Sequence, residues 1–343
     1  MPNLGVHVNE QATAVSIPVV ASSGIPFVAG TTPVHTAKKP AKPNTPVLCT
    51  NWDEAVEKLG FSYDWKKYTL CEAMYSHFQL YGAQPVIFCN VLNPADSDMK
   101  KAAASESHNV ADHQAVLPFE TLRAGLKVTS GEGDGSAELK EDEDYTLFYD
   151  EEKGCVLELL EGSAAYSAKT LTVEATQIDP ATVTSADIIM GINQVDACMT
   201  AAGQIPDLLL APGFSHDPVV AAVMATKAAV INGLFGAKAL IDADCSAEGV
   251  TECSGLTAYK SKNNLVDVNQ IVCWPQVKLG EYQFHLSTQL AGLMAQVDTE
   301  NGGCPYESPS NKSLKIDGCC LADGTEINLT WEQVNLVAGS WGV

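Results

Sequence analysis

Three consecutive residues, Ser215, His216 and Asp217, carry the side-chain types of a catalytic triad. A serine hydrolase, however, seats its imidazole between nucleophile and carboxylate, using residues that the fold gathers from separate segments. Neighbours in one turn cannot adopt that arrangement, and the sequence has no Gly-x-Ser-x-Gly elbow. A strand-to-helix turn explains them better, with Ser215 or Asp217 as the helix cap and Pro218 at the first helical position. Phosphate cradles find no support, since neither Gly-x-Gly-x-x-Gly nor Gly-x(4)-Gly-Lys-Ser/Thr occurs. The seven histidines are scattered without metal-ligand spacing. The string Glu138–Asp144 and the turn Gly131-Glu132-Gly133-Asp134-Gly135 lack the offsets of a calcium loop, so a solvated acidic face is the reading. Nothing in these patterns argues for an enzyme, a metal or a cofactor.

Cysteines could be a second source of chemistry. There are 11 of them, an odd number in a long chain, and most sit in apolar runs such as Val86-Ile87-Phe88-Cys89. Cys319 and Cys320 are adjacent but have no matching Cys-x(2–4)-Cys pair for zinc. Reduced thiols acting as small hydrophobes in a cytoplasmic setting fit this usage.

The elements that would position any site fall into four stretches. Residues 1–46 carry two alternating runs, Leu4, Val6, Val8 and Val15, Ile17, Val19, ahead of a Pro- and Lys-rich link. Such runs read as strands with one buried face, and without a core of their own they must pair with a sheet edge, in this subunit or in a neighbour. Residues 47–114 look α/β: Asn51 and Glu54 form a capping box for a helix to Leu59, a helix spans Thr69 to Tyr81, and Pro85–Val91 is a buried strand. The polar stretch 95–112 reads as a connector. Residues 115–179 contain short β-type runs separated by tight turns, the pattern of an inserted antiparallel module. From residue 180 to 343, apolar strands alternate with helices: Leu208–Gly213, Lys238–Ala243 and Val268–Trp274 against Ala186–Ala202, Pro218–Leu234, Glu252–Lys260 and Leu286–Val297. That alternation implies a mostly parallel sheet covered by helices on both faces.

Composition narrows the function classes. The chain has 343 residues with 20 Lys plus Arg against 42 Asp plus Glu, a formal net charge of −22. This length supports a large core and about two domains. The acidic balance disfavours nucleic acid, which requires a basic surface. No apolar run is long enough for a membrane span, and protein partners remain the natural class.

Four stretches resemble contractile-tail sheath proteins of bacteriophages and related tailocins. The opening Leu4-Gly5-Val6-His7-Val8-Asn9-Glu10, leading to Phe27-Val28-Ala29-Gly30-Thr31, is similar to the family's Gly-Val-Tyr-Val-x-Glu start and Phe-Val-Gly strand. Leu210-Ala211-Pro212-Gly213 resembles its strand ending in Ala-Pro-Gly. Ser308-Pro309-Ser310-Asn311-Lys312-Ser313-Leu314 is close to Ser-Pro-Ala-Asn-Lys-Pro-Leu, and Leu329–Leu336 resembles the Leu-Thr-x-x-Gln-Ala-Asn-x-Leu helix. The stretches occur in the family's order across nearly the whole chain.

The resemblance implies a subtilisin-like α/β sheath domain with the β module inserted into it and the N-terminal arm extended. It further implies a subunit that stacks as hexameric rings around an inner tail tube, bounded by baseplate and tail-terminator proteins, in a virion tail sheath assembled in the bacterial host cytoplasm. The arm residues Leu4, Val6, Val8, Val15, Ile17 and Val19 would form subunit interfaces. Family members continue past the Trp-Gly near Trp341-Gly342, so a shortened chain or a split gene is expected. The rival readings are an α/β hydrolase-like enzyme using Ser215 and a soluble small-molecule-binding protein with a cleft at the strand ends.

Overall fold

The computed structural model describes residues 23–130 and 137–340. The interface residues expected in the arm, Leu4 to Val19, lie outside this range. Three sheets and their helices make a mixed α/β architecture.

The main sheet begins with β1 (Pro26–Gly30), whose five residues are all buried. The edge strand β2 (Val47–Cys49) and the buried β3 (Val86–Asn90) follow, separated by α1 (Trp52–Leu59) and α2 (Thr69–Met74). A π-helical turn, Tyr75–Tyr81, prolongs α2 and closes on Gly82 in the left-handed region (φ 59°), a conformation that glycine adopts without strain. The expected cap of α1 is present: Asn51 Oδ1 accepts the Glu54 N–H at 2.9 Å. Glu54 reaches back one residue further than a standard capping box, accepting from the Thr50 N–H at 2.8 Å.

A seven-stranded antiparallel sheet then interrupts the α/β alternation. It comprises β4 (Lys100–Ala111), β5 (Gln114–Leu117), β6 (Lys127–Ser130), β7 (Ala137–Leu139), β8 (Tyr145–Asp150), β9 (Gly154–Leu159) and β10 (Thr170–Ile178), in the order β7-β6-β10-β4-β5-β9-β8. It has its own small core around Val128, Leu147, Leu157 and Leu171. Entry and exit are side by side: the Asp179 N–H donates to the Met99 carbonyl at 2.8 Å.

The main sheet resumes after α3 (Ser185–Asn193) and α4 (Cys198–Ala202), with β11 (Leu208–Leu210), α5 (Pro218–Ala229), β12 (Lys238–Asp242), α6 (Leu256–Lys262) and β13 (Gln270–Cys273). A four-stranded antiparallel sheet follows, ordered β15-β14-β16-β17: β14 (Gln276–Leu279), β15 (Tyr282–Phe284), β16 (Gly318–Cys320) and β17 (Glu326–Ile327). The long helix α7 (Leu286–Glu300) joins β15 to β16, and α8 (Trp331–Ser340) is the last element described.

The main sheet is ordered β13-β12-β11-β1-β3-β2, with every neighbouring pair parallel except β2 with β3. Helices α3 and α5 cover one face, and α2 with α7 the other. The chain runs from β1 to β3 on one side and later returns to β11 on the other side of β1. Strand order therefore reverses between β1 and β11, and in open α/β sheets the crevice beyond the strand ends at such a reversal is where ligands bind.

Several expectations need correction. The connector expected over 95–112 is largely the strand β4, so the antiparallel sheet begins at Lys100, ahead of the expected boundary at 115. Its Lys, Ala, Ser and Glu residues are mostly exposed, so the apolar alternation that signals a half-buried strand is missing. The stretch 1–46 is not an arm throughout, because Pro26–Gly30 is an interior strand of the main sheet, hydrogen-bonded on both sides. The helix expected to reach Leu234 ends at Ala229: Val230 is extended, and Asn232 and Gly233 take positive φ in the turn that follows. The helix expected over 186–202 is broken by a 3-10 turn at Gln194–Ala197, where Asp196 pairs with Lys227 at 2.6 Å. The four-stranded sheet β14–β17 had no counterpart in the sequence reading. All 11 thiols are free, and all but Cys304 and Cys319 are buried.

Candidate functional site

Polar side chains converge at the C-terminal edge of the main sheet, beside the strand-order reversal. Glu72 stands on α2 among the buried Leu70, Cys71, Ala73 and Met74, and is itself 1% exposed. Its Oε1 accepts the His285 N–H at 2.6 Å and the Thr288 hydroxyl at 2.7 Å, while Oε2 pairs with His285 Nδ1 at 2.8 Å. Asp242 closes the apolar strand β12 and is also buried. Its Oδ1 accepts the Ser287 N–H at 3.0 Å, and its Oδ2 accepts the hydroxyls of Ser287 at 2.6 Å and Ser215 at 3.2 Å. The Asp242 N–H in turn donates to Ser215 Oγ at 2.9 Å.

The local reason for the convergence is helix α7. Its first turn exposes unsatisfied N–H groups and the positive end of its dipole, which two carboxylates from different layers neutralise. The cluster thereby fastens α2, the β11 loop, β12 and α7 to one another. Burial works against the His285 imidazolium, but the Glu72 charge, its hydrogen bond and the Asp242 charge outweigh it and raise the pKa from 6.5 to about 9. The ring is a cation at neutral pH. Burial pushes the Asp242 carboxyl up, opposed by His285 and the Ser287 hydrogen bonds.

A cavity of about 380 Å³ adjoins the cluster, lined by Trp65, Thr69, Glu72, Phe214, Gln283 and His285 among others. Gly213 forms part of its floor at φ 79°, where an added Cβ would meet Thr69 Cγ2 at 3.1 Å, so the tight loop after β11 requires glycine there. Chemically, the arrangement offers a fixed imidazolium donor beside aromatic walls. A nucleophile–base pair needs a hydroxyl donated to an imidazole. Here the Ser215, Ser287 and Thr288 hydroxyls donate to carboxylates instead.

The three residues singled out in the sequence are dispersed by the fold. Ser215 is buried against Asp242, and His216 is exposed. Asp217 caps α5, accepting the Val219 N–H at 2.8 Å and the Ser185 hydroxyl at 2.5 Å. Asp217→Ala is expected to cost about 1 kcal/mol of stability, read as a lower denaturant midpoint with an unchanged slope.

Sequence reasoning missed Glu72, Asp242, His285, Ser287 and Thr288. A signal existed, since each carboxylate interrupts a run of residues otherwise destined for the core, and a buried charge needs partners. Their partners lie more than 200 positions away for Glu72 and 27 or 45 for Asp242, beyond any local pattern. Among the described residues, no group of three or more His, Cys, Asp or Glu is placed to hold a metal ion, and no helix is long and apolar enough to cross a membrane. Comparison with known protein-family models and with curated proteins finds no match to this chain.

Proposed function

We propose that the chain is a structural subunit of a contractile tail sheath, polymerising as stacked hexameric rings around an inner tube. The observation that carries this reading is the set of four family-like stretches in family order. Their positions in the fold support it. Phe27–Thr31 leads from the centre of the main sheet, and Leu210–Gly213 forms the turn at its C-terminal edge. The other two stretches are at the surface. Ser308–Leu314 is mostly exposed, and Trp331, which opens α8, is 83% exposed. Buried stretches of this kind preserve a body, whereas a large outward aromatic is a typical contact residue between proteins.

The mechanical logic is that of a rigid body joined to its neighbours by strands. A lattice that slides its subunits needs tethers that persist while each body turns as a unit, and shared main-chain hydrogen bonds provide them. In this reading Leu4, Val6 and Val8 dock on a sheet edge of a neighbouring subunit, and the tube, baseplate and terminator proteins are the other partners. Deleting residues 1–20 from the full-length gene product is expected to abolish tubular assemblies in negative-stain micrographs while the monomer keeps its circular dichroism spectrum. Normal tubes after that deletion would overturn the reading.

A second reading, a small-molecule-binding protein, is favoured by the cavity at the strand-order reversal. It calls for a persistent monomer stabilised by a small ligand, which size-exclusion chromatography and thermal shift distinguish from a subunit that polymerises.

A further inference from the structure

The cavity beside the Glu72–His285 pair leaves one edge of the imidazole unused. Glu72 takes up the His285 backbone N–H at 2.6 Å and Nδ1 at 2.8 Å, so Nε2 is the ring's remaining polar atom. It has no hydrogen-bond partner among the described residues, and 21% of the side chain stays accessible, against 1% for Glu72. Cε1, bonded to Nε2, is the ring atom nearest the Gly213 floor: a Cβ built on Gly213 would meet it at 3.9 Å. The free edge therefore lies along the cavity that both residues line. Because Glu72 keeps the ring charged, Nε2 carries a hydrogen and can only donate.

The rest of the lining favours the same kind of guest. Lys66 is exposed, lines the cavity and has no ion-pair partner among the described residues. Trp65 and Phe284 pack with ring centroids 4.7 Å apart, and with Phe214 they give the cavity its apolar surface. Glu72 also lines it, but its oxygens already accept from the His285 N–H, the His285 ring and the Thr288 hydroxyl. Asp242 is not a lining residue, and its carboxylate accepts from Ser215 and Ser287. The net charge of −22 repels anions at long range, yet salt screens that field within about 8 Å, so the adjacent cations dominate at contact. Phosphate or sulfate calls for a nest of donors, which one imidazole and one ammonium do not make. At about 380 Å³ the space suits a small ligand.

We propose that this cavity binds a small aromatic monocarboxylate, its carboxylate on His285 Nε2 and Lys66 Nζ and its ring against Trp65, Phe214 and Phe284. The assignment rests on the small-molecule-binding reading of the cavity and gives that reading a ligand class. With the ligand in place the imidazole sits between two carboxylates, Glu72 on Nδ1 and the guest on Nε2, so each ring N–H has an anionic acceptor. Hydrogen bonds of that kind are roughly twice as strong as neutral ones, and apolar walls strengthen them further.

Calorimetric titration of the full chain with phenylacetate, and with its uncharged isostere phenylacetamide, tests it. Phenylacetate is expected to bind about tenfold more tightly than the amide. Lys66→Gln is expected to weaken phenylacetate about threefold and to leave the amide unchanged, and His285→Gln to erase the preference for the acid. Ala181→Trp, at an exposed lining position, is expected to block both probes. Equal binding of acid and amide would overturn the carboxylate assignment while leaving the cavity a binding site. Binding of neither probe would remove the proposal and the small-molecule reading together. Binding that survives Ala181→Trp would place the ligand elsewhere and overturn the proposal as well. Should His285→Gln fail to fold, the acid-to-amide ratio of the native chain and of Lys66→Gln still decides the matter.

Discussion

Raising the pH from 6.5 to about 9 is expected to remove about 3 kcal/mol of folding stability through His285 alone. A base whose folded pKa lies above its ordinary value binds its proton more tightly in the native state. Its contribution is complete below pH 6.5 and is lost as pH rises through about 9. Denaturant midpoints at pH 6, 7.5 and 9 measure the loss. Glu72→Gln is expected to flatten this dependence and to cost about 3 kcal/mol at neutral pH, because it removes the counter-charge that holds the His285 proton. Asp242, whose carboxyl is raised by burial, acts on the same imidazole, so Asp242→Asn separates its share. Buried thiols such as Cys49 and Cys245, pushed up to about 12, add losses only above pH 9. On the acid side, burial lowers His77 to about 4, so its contribution is present above pH 6.5 and fades as pH falls towards 4. The two histidines together place maximal stability near pH 6.5. A midpoint unchanged between pH 6.5 and 9, or an equal slope in Glu72→Gln, would refute the assignment.

Phe27→Ala is expected to cost about 3–5 kcal/mol. Phe27 is the second residue of β1, 1% exposed, with Ile87 and Leu209 as its cross-strand neighbours. An interior strand covered on both faces has nothing to fill the space left by a lost ring, so the cavity penalty adds to the transfer term. The comparison is Val116→Ala on β5 of the seven-stranded sheet, 48% exposed, which is expected to stay within about 0.5 kcal/mol. A shift in midpoint at constant slope for Phe27→Ala, and none for Val116→Ala, is the expected pair. Equal effects at the two positions would mean that the main sheet is not the seat of stability.

The parts of the fold visible in the sequence are those coded by short-range pattern. Asn51 with Glu54, Asp217 with Pro218, and the apolar runs of β3, β11, β12 and β13 each announce themselves within a few residues. The parts that escaped are coded by distance or by exposure. β4 is polar because both its faces meet solvent along much of its length, and its identity comes from pairing with β10 rather than from its own side chains. β1 is brief and lies close behind the alternating runs, so its place between β3 and β11 shows only once the crossovers are known. For the site at the sheet edge, each residue type was in view, but the contacts of Glu72 with α7 span more than 200 positions. The alternating runs before Ser23 belong to residues outside the described range, and their role rests on the experiments above.

The adjacency of Met99 and Asp179 has a consequence for how such a protein can change over time. An outgrowth whose two stems touch can be enlarged, exchanged or pared to a turn while the body's crossovers stay intact, because closing the gap costs only the entropy of a short loop. The antiparallel sheet keeps most of its hydrophobic residues in its own interior, so its replacement would uncover chiefly the contacts that Phe119, Leu122 and Ile178 make with the body. Decoration and scaffold are thus free to diversify at different rates, and new surface chemistry can be grafted at one seam without reworking the layers beneath.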